Sequence, residues 1–146
     1  MGKQVRLVHS VSRSALASVL EHGLKAVHDY SCVDLEMRKN VVCCWLRKED
    51  DRLRREDRTY VEVTVEEGRC LVADMDIISL AMMYEPGSGS DAPAIPVRKN
   101  AEAARLLAEV YRITAVPLAE YREGMFGSPE VLVSGDIGPE YIRLME

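Results

Sequence analysis

Aromatic side chains are scarce in this chain, with one Trp, one Phe and six Tyr among 146 residues. No apolar run approaches the roughly 18 residues a membrane span needs, so no membrane segment is expected. Residues 1–6 carry two basic side chains, but no apolar stretch follows, so no secretory leader is expected either. Phosphate-cradling glycine loops, Gly-x-Ser-x-Gly and His-Glu-x-x-His are all missing. The histidines, His9, His22 and His28, do not stand at metal-ligand spacing from one another or from the cysteines, and a metal site is not expected. No Cys-x-x-Cys pair occurs among Cys32, Cys43, Cys44 and Cys70. The adjacent Cys43 and Cys44 would face opposite sides of a strand and cannot share an ordinary metal site. Their apolar flanks point to buried free thiols, which suits a reducing cytoplasm. An excess of positive charge is lacking as well. Lys and Arg number 19 against 24 Asp and Glu, for a net charge of −5. That argues against a constitutive nucleic-acid coat protein and leaves room only for a local basic groove.

What is present is ordinary globular composition, 47% apolar and 29% charged, at a length that fits one domain over 1–146. Residues 5–9 read as a strand, and 15–22 as a helix capped by Ser12 or Ser14 and stopped by Gly23 in the left-handed region. Leu16, Val19 and Leu20 form that helix's inward face. Residues 28–40 are polar and mixed, a short helix or a loop, and 41–46 (VVCCWL) read as a buried strand. The densely charged 47–58 reads as a solvated helix. Residues 60–65 alternate as a half-exposed strand, and Glu66, Glu67 and Gly68 suggest a hairpin turn returning along 69–73. A helix is expected over 74–84, an exposed loop over 84–96, and a second helix over 101–111. Asn100 caps that second helix, with Ala103, Leu106, Leu107 and Val110 inward. Residues 113–117 read as extended and 120–128 as a polar connection. Residues 130–134 form a strand, and Pro139 opens a short helix or leads into a final strand. Strands with helices inserted between them point to an α+β fold.

Two residues stand out for chemistry. His9 ends the first strand before a serine-rich turn, where an imidazole can face an open sheet end. Glu130 leads the apolar run Val131, Leu132, Val133, which fixes a carboxylate where it can bond a ligand hydroxyl.

Three stretches, taken in order, resemble the ADP-ribosyltransferase superfamily, in particular the DNA-targeting ADP-ribosyltransferase toxins and their small bacterial relatives. Residues 9–24 look like the family's opening strand, a histidine followed by a hydroxyl residue and then a helix ending in Gly23-Leu24. Residues 60–74 are similar to the central hairpin. Residues 129–142 look like the closing strand pair, with Glu130 before an apolar run and the Ile137 to Ile142 spacing after it. The resemblance implies a split β-sandwich of two small, mostly antiparallel sheets with flanking helices and a nicotinamide-binding cleft between them. It places His9 on the histidine that holds the ribose of NAD, and Ser10 on the small residue whose backbone contacts the nicotinamide amide. Glu130 falls on the glutamate that bonds the ribose 2′-hydroxyl and stabilises the oxocarbenium-like charge. The family's second strand carries a tyrosine that stacks on nicotinamide. Here Cys44 or Trp45 falls near that place, depending on register, and Arg47 falls near an arginine used by the toxins.

The activity so implied is NAD-dependent transfer of ADP-ribose to a protein or nucleic-acid acceptor, with NAD as substrate. The missing tyrosine motivates an alternative, a degenerate domain that keeps the fold and binds a nucleotide or protein partner without catalysis. A transferase acting on an RNA 2′-phosphate would need converging basic residues that the matching positions lack. An unrelated α+β binding module would hold His9 and Glu130 apart. The acceptor is expected to be read by 84–96 or by 125–128.

Overall fold

A computed structural model describes residues 2–27, 35–52, 55–85 and 99–145. Among these are two antiparallel sheets and three α-helices, an α+β architecture. The first sheet has β3 (Arg58–Glu66) at its centre, flanked by β1 (Gln4–Ser12) and β7 (Ile142–Leu144). The second sheet runs in the order β2 (Val41–Cys44), β6 (Pro129–Ser134), β4 (Cys70–Asp74), β5 (Val116–Pro117).

The period-2 pattern of β3 explains its place. Val61, Val63 and Val65 all point to one side and are buried, while the residues between them are half-exposed. They meet Leu7 and Val11 of β1 and, from the second sheet, Val42, Cys44, Val72, Val131 and Val133. Burying such side chains stabilises the fold by roughly 1.5–3 kcal/mol each. The other face of the second sheet is covered by α2 (Met75–Tyr84) and α3 (Ala101–Thr114), which bury Ile78, Ala81 and Tyr111 against Ala73. Among the described residues no helix is long and apolar enough to cross a membrane.

The hairpin expected between 60–65 and 69–73 does not form. The 3-10 turn Glu67–Arg69 instead carries the chain from one sheet to the other, β3 pairing with β1 and β7 and β4 with β5 and β6. β3 buries Val61, Val63 and Val65 and β4 buries Cys70 and Val72, and the inter-sheet core takes these side chains from two facing sheets instead of from neighbours in one. The charged stretch 47–58 is not a helix in its described part, which holds only the 3-10 turn Lys48–Asp50 before reaching β3 at Arg58.

Helix α1 (Leu16–His22) follows a 3-10 turn, Arg13–Ala15, and no serine side chain caps either element. The Ser12 and Ser14 hydroxyls contact each other instead, at 3.3 Å. Leu16 and Val19 pack on the core, but Leu20 faces solvent. Gly23 ends α1 with φ +86° and ψ −172°, so φ is positive as expected but ψ is extended. A Cβ there would stand 2.4 Å from the Ile137 carbonyl oxygen, to which the Leu24 N–H donates at 2.8 Å. Asp74 caps α2 by accepting from the Asp76 N–H at 3.0 Å, and Asn100 caps α3 through the Glu102 and Ala103 N–H groups. The buried side of α3 is Ala104, Ala108 and Tyr111. Leu106 and Val110, expected inward, are exposed, because small residues let α3 lie close on α2. Residue Thr114 still belongs to α3, so only Val116–Pro117 of the expected extended stretch is strand. Pro139 opens a 3-10 turn, Pro139–Tyr141, that leads directly into β7. The polar stretch at 28–34 with His28 and Cys32, and the loop at 86–98, lie outside the described residues.

Candidate functional site

Besides the core they share, the two sheets are joined among the described residues by one backbone bridge at their edges. The N–H and C=O groups of Val8 and Trp45 exchange hydrogen bonds of 2.9 and 2.7 Å, joining β1 to the residue just after β2. Beyond that bridge the strands part, and the His9 ring spans the gap. Its Nδ1 lies 2.7 Å from the Cys43 carbonyl oxygen. A carbonyl only accepts, so Nδ1 carries the proton and the neutral ring keeps its lone pair on Nε2. Burial holds the pKa of His9 below the usual histidine value. The carbonyl bond opposes that shift, and the nearby Arg58 cation adds to it.

Strand alternation sorts the second sheet. Cys44 pairs with Val131 on the core side, while Cys43 pairs with Leu132 on the opposite face. One step beyond the Cys44–Val131 pair, Trp45 and Glu130 are brought side by side where that ladder ends. The result is a cavity of about 310 Å³ bordered by His9, Ser10, Cys43, Trp45, Asp51, Arg55, Arg58 and Glu130. That volume is at the small end of ligand sites, large enough for a ring and a sugar, with the rest of a longer ligand left outside.

Glu130 is 3% exposed at the start of β6. Its Oε1 accepts from Arg38 Nη1 at 2.6 Å and from the Tyr111 hydroxyl at 3.4 Å. Arg38 also donates to the Tyr111 oxygen at 2.7 Å, so the three groups form a chain in which Tyr111 accepts from the cation and donates to the anion. Among the described residues no hydrogen bond reaches Oε2, and no buried side-chain oxygen or nitrogen lacks a partner. The second oxygen is therefore the one open to the cavity. Burial raises the Tyr111 pKa, which keeps its hydroxyl a donor across the physiological range.

Of the residues singled out from sequence, His9, Ser10, Trp45 and Glu130 border this one cavity. Cys44 does not. Its thiol is fully buried in the inter-sheet core, which pushes its pKa well up, and it is Cys43 that faces the cavity. Arg47 is likewise elsewhere, exposed and paired with Glu123 at 2.8 Å beside Tyr121. The Ser10 carbonyl accepts from Arg58 Nη2 at 2.7 Å, and the Ser10 hydroxyl accepts from Arg58 Nε at 2.7 Å, so this backbone oxygen keeps one lone pair for a ligand amide. Arg38, Tyr111 and Asp51 escaped the sequence reading. Arg55 and Arg58, which the charge pattern of 47–58 assigns to a solvated face, border the cavity. Cys43, Cys44 and Cys70 are free thiols, and among the described residues no group of three or more His, Cys, Asp or Glu is placed to hold a metal ion.

No protein-family model matches this chain, and neither a curated protein nor a solved structure matches it significantly.

Proposed function

We propose that this protein is an NAD-dependent ADP-ribosyltransferase with the split β-sandwich of that superfamily. It breaks the nicotinamide–ribose bond and passes ADP-ribose to a protein or nucleic-acid acceptor. The observation that carries the reading is convergence: His9 from the first strand and Glu130 from the sixth border one cavity where two sheets part. The residues present suit the ligand. Trp45 offers the one indole face for a nicotinamide ring, and His9 Nε2 offers an acceptor for a ribose hydroxyl. Arg55 and Arg58 offer guanidinium groups for a diphosphate.

Glu130 supplies the chemistry. As the bond to nicotinamide lengthens, positive charge builds on the ribose. A carboxylate already held in place needs no reorganisation to stabilise that charge. Oε1 is tethered by Arg38 and Tyr111, leaving Oε2 to accept from the ribose 2′-hydroxyl. Glu130→Gln is expected to lower nicotinamide release by at least ~100-fold, the scale for losing one preorganised electrostatic group, while NAD still protects the variant in a thermal-shift titration. No binding of NAD at millimolar concentration, or undiminished release by E130Q, would overturn the reading.

The ion pair itself favours a second reading. Arg38 neutralises part of the Glu130 charge, and a neutralised carboxylate stabilises a sugar cation less. A degenerate domain that binds NAD or another nucleotide would then show protection by NAD with no nicotinamide released by the parent protein.

A further inference from the structure

Arg58 is held at the cavity by a residue of another strand. Ser12 and Ser10 of β1 pair with Arg58 and Tyr60 of β3, so the Arg58 and Ser10 side chains share one face of the sheet, a diagonal step apart. Val8 gives its N–H and C=O to Trp45, and alternation along the strand turns those of Ser10 to the same outer edge, just where the sheets part. The guanidinium lies across β1 and meets both Ser10 groups. Nε donates to the hydroxyl and Nη2 to the carbonyl, each at 2.7 Å.

Those two bonds take one edge of the planar group. Of its five N–H donors the rest, including both on Nη1, are left for a ligand. Among the described residues no carboxylate pairs with Arg58, or with Arg55, which borders the same cavity. The cavity's own carboxylates already have donors: Glu130 has Arg38 and Tyr111, and Asp51 has the Tyr60 hydroxyl. Two cations without a counter-charge thus border one cavity, and one of them has a fixed orientation. A guanidinium edge so fixed matches the oxygens of a phosphate and loses little freedom on binding one.

We propose that Ser10 is a positioning residue for Arg58, and that Arg58, so held, binds a phosphate group. On the NAD-cleaving reading, on which this step rests, that group is the phosphate esterified to the ribose that His9 holds. The cavity admits a ring and a sugar, so the next group along the ligand is the one that meets the arginine. A bound phosphate also acts on His9. Burial holds the His9 pKa down, the Cys43 carbonyl opposes that shift, and the Arg58 cation adds to it. Asp51, Arg55 and Glu130 border the cavity with it. An anion on Arg58 cancels the cation's part, so the His9 pKa rises on binding.

Two ligands that differ by one phosphate make the test: nicotinamide mononucleotide and nicotinamide riboside, each titrated into the full chain and followed by amide and imidazole chemical shifts. R58Q is expected to weaken the mononucleotide about 30-fold, the scale of a hydrogen bond to a charged group, and not to weaken the riboside. S10A removes only the hydroxyl and is expected to weaken the mononucleotide about threefold, with S10T restoring it. The Ser10 pair leaves Arg58 in place and decides the point even where R58Q does not fold. The His9 ring titration should move to higher pH with the mononucleotide in the parent and stay put in R58Q. Inorganic pyrophosphate separates the two sources of phosphate. Pyrophosphate bound by the parent and lost by R58Q, with neither nicotinamide ligand bound, supports the phosphate site and defeats the NAD-cleaving reading. Equal weakening of mononucleotide and riboside by R58Q, an S10A variant indistinguishable from the parent, or no binding of either mononucleotide or pyrophosphate overturns the proposal.

Discussion

Replacing Arg38 with Met isolates the interaction that holds Glu130. The two side chains are 4% and 5% exposed and meet at 2.6 Å. Both charges have therefore left water, and their mutual attraction with the Tyr111 bond offsets that loss. Met fills most of the aliphatic volume but leaves the carboxylate buried with only the Tyr111 hydroxyl as donor. Breaking a buried pair from one side costs about 3–5 kcal/mol, a large part of the roughly 5–15 kcal/mol that holds a typical domain together. The same logic applied to E130Q leaves the Arg38 cation unmatched. In R38M/E130Q neither charge remains, and the double variant should lose at least about 2 kcal/mol less than the two single losses added together, within the range for contacting residues.

Trp45, the only tryptophan, gives the readout, since it borders the cavity and its emission reports unfolding in urea at pH 7. An R38M variant that cannot fold alone but folds with E130Q would make the same point. R38M within about 1 kcal/mol of the parent, or losses that simply add, would refute the claim that Arg38 and Glu130 stabilise each other in the interior.

Two further outcomes concern His9 and the first helix. His9 has a depressed pKa in the fold, so between that value and its ordinary 6.5 the unfolded chain binds more protons. Stability should be full above about pH 6.5 and fall as the pH drops below it, and His9→Gln should flatten that part of a urea-midpoint against pH profile; an unchanged slope would contradict it. Gly23→Ala should cost about 1–3 kcal/mol from backbone strain alone, because φ is +86° and the new Cβ would meet the Ile137 carbonyl. A urea midpoint equal to the parent's would show that the Leu24–Ile137 bridge is not held in place by this glycine.

The alternating valines of β3 and Asn100 before an amphipathic run each carry their own local signal. Hydroxyl residues alone do not: Ser12 and Ser14 look like caps for α1 and cap nothing, while Asp74, which sits inside the expected helix, is the residue that caps α2. The lost hairpin was not legible, because the 66–68 turn composition is compatible with a tight return and with a 3-10 corner. Only the competition of the β3 valines and of Cys70 and Val72 of β4 for one core selects the corner. The face of α3 was misread for a related reason. Leu106 and Val110 look like core by hydropathy, yet the close approach of α2 selects Ala104 and Ala108.

The site divides the same way. His9 is visible as the polar residue after an apolar strand phrase, although β1 does not end there and pairs on through Ser12. Glu130 is visible because it opens a strand in an otherwise apolar phrase, and a carboxylate opening a fully buried strand demands a nearby cation. Which cation is a question of topology. Arg38 stands 92 positions from Glu130, near the end of β2 that pairs with Ser134, whereas Glu130 lies at the other end of β6. The guanidinium must run back along the helix-covered face of the sheet, and it passes Cys43 with Nη2 3.9 Å from the sulfur. A bulky side chain at position 43 would block that route, so the thiol that faces the cavity is also what gives Arg38 room to reach the carboxylate. The VVCCWL phrase thus places Cys44 in the core, Cys43 beside the arginine and Trp45 at the cavity wall. Its two adjacent cysteines do different work because a strand turns neighbours to opposite faces.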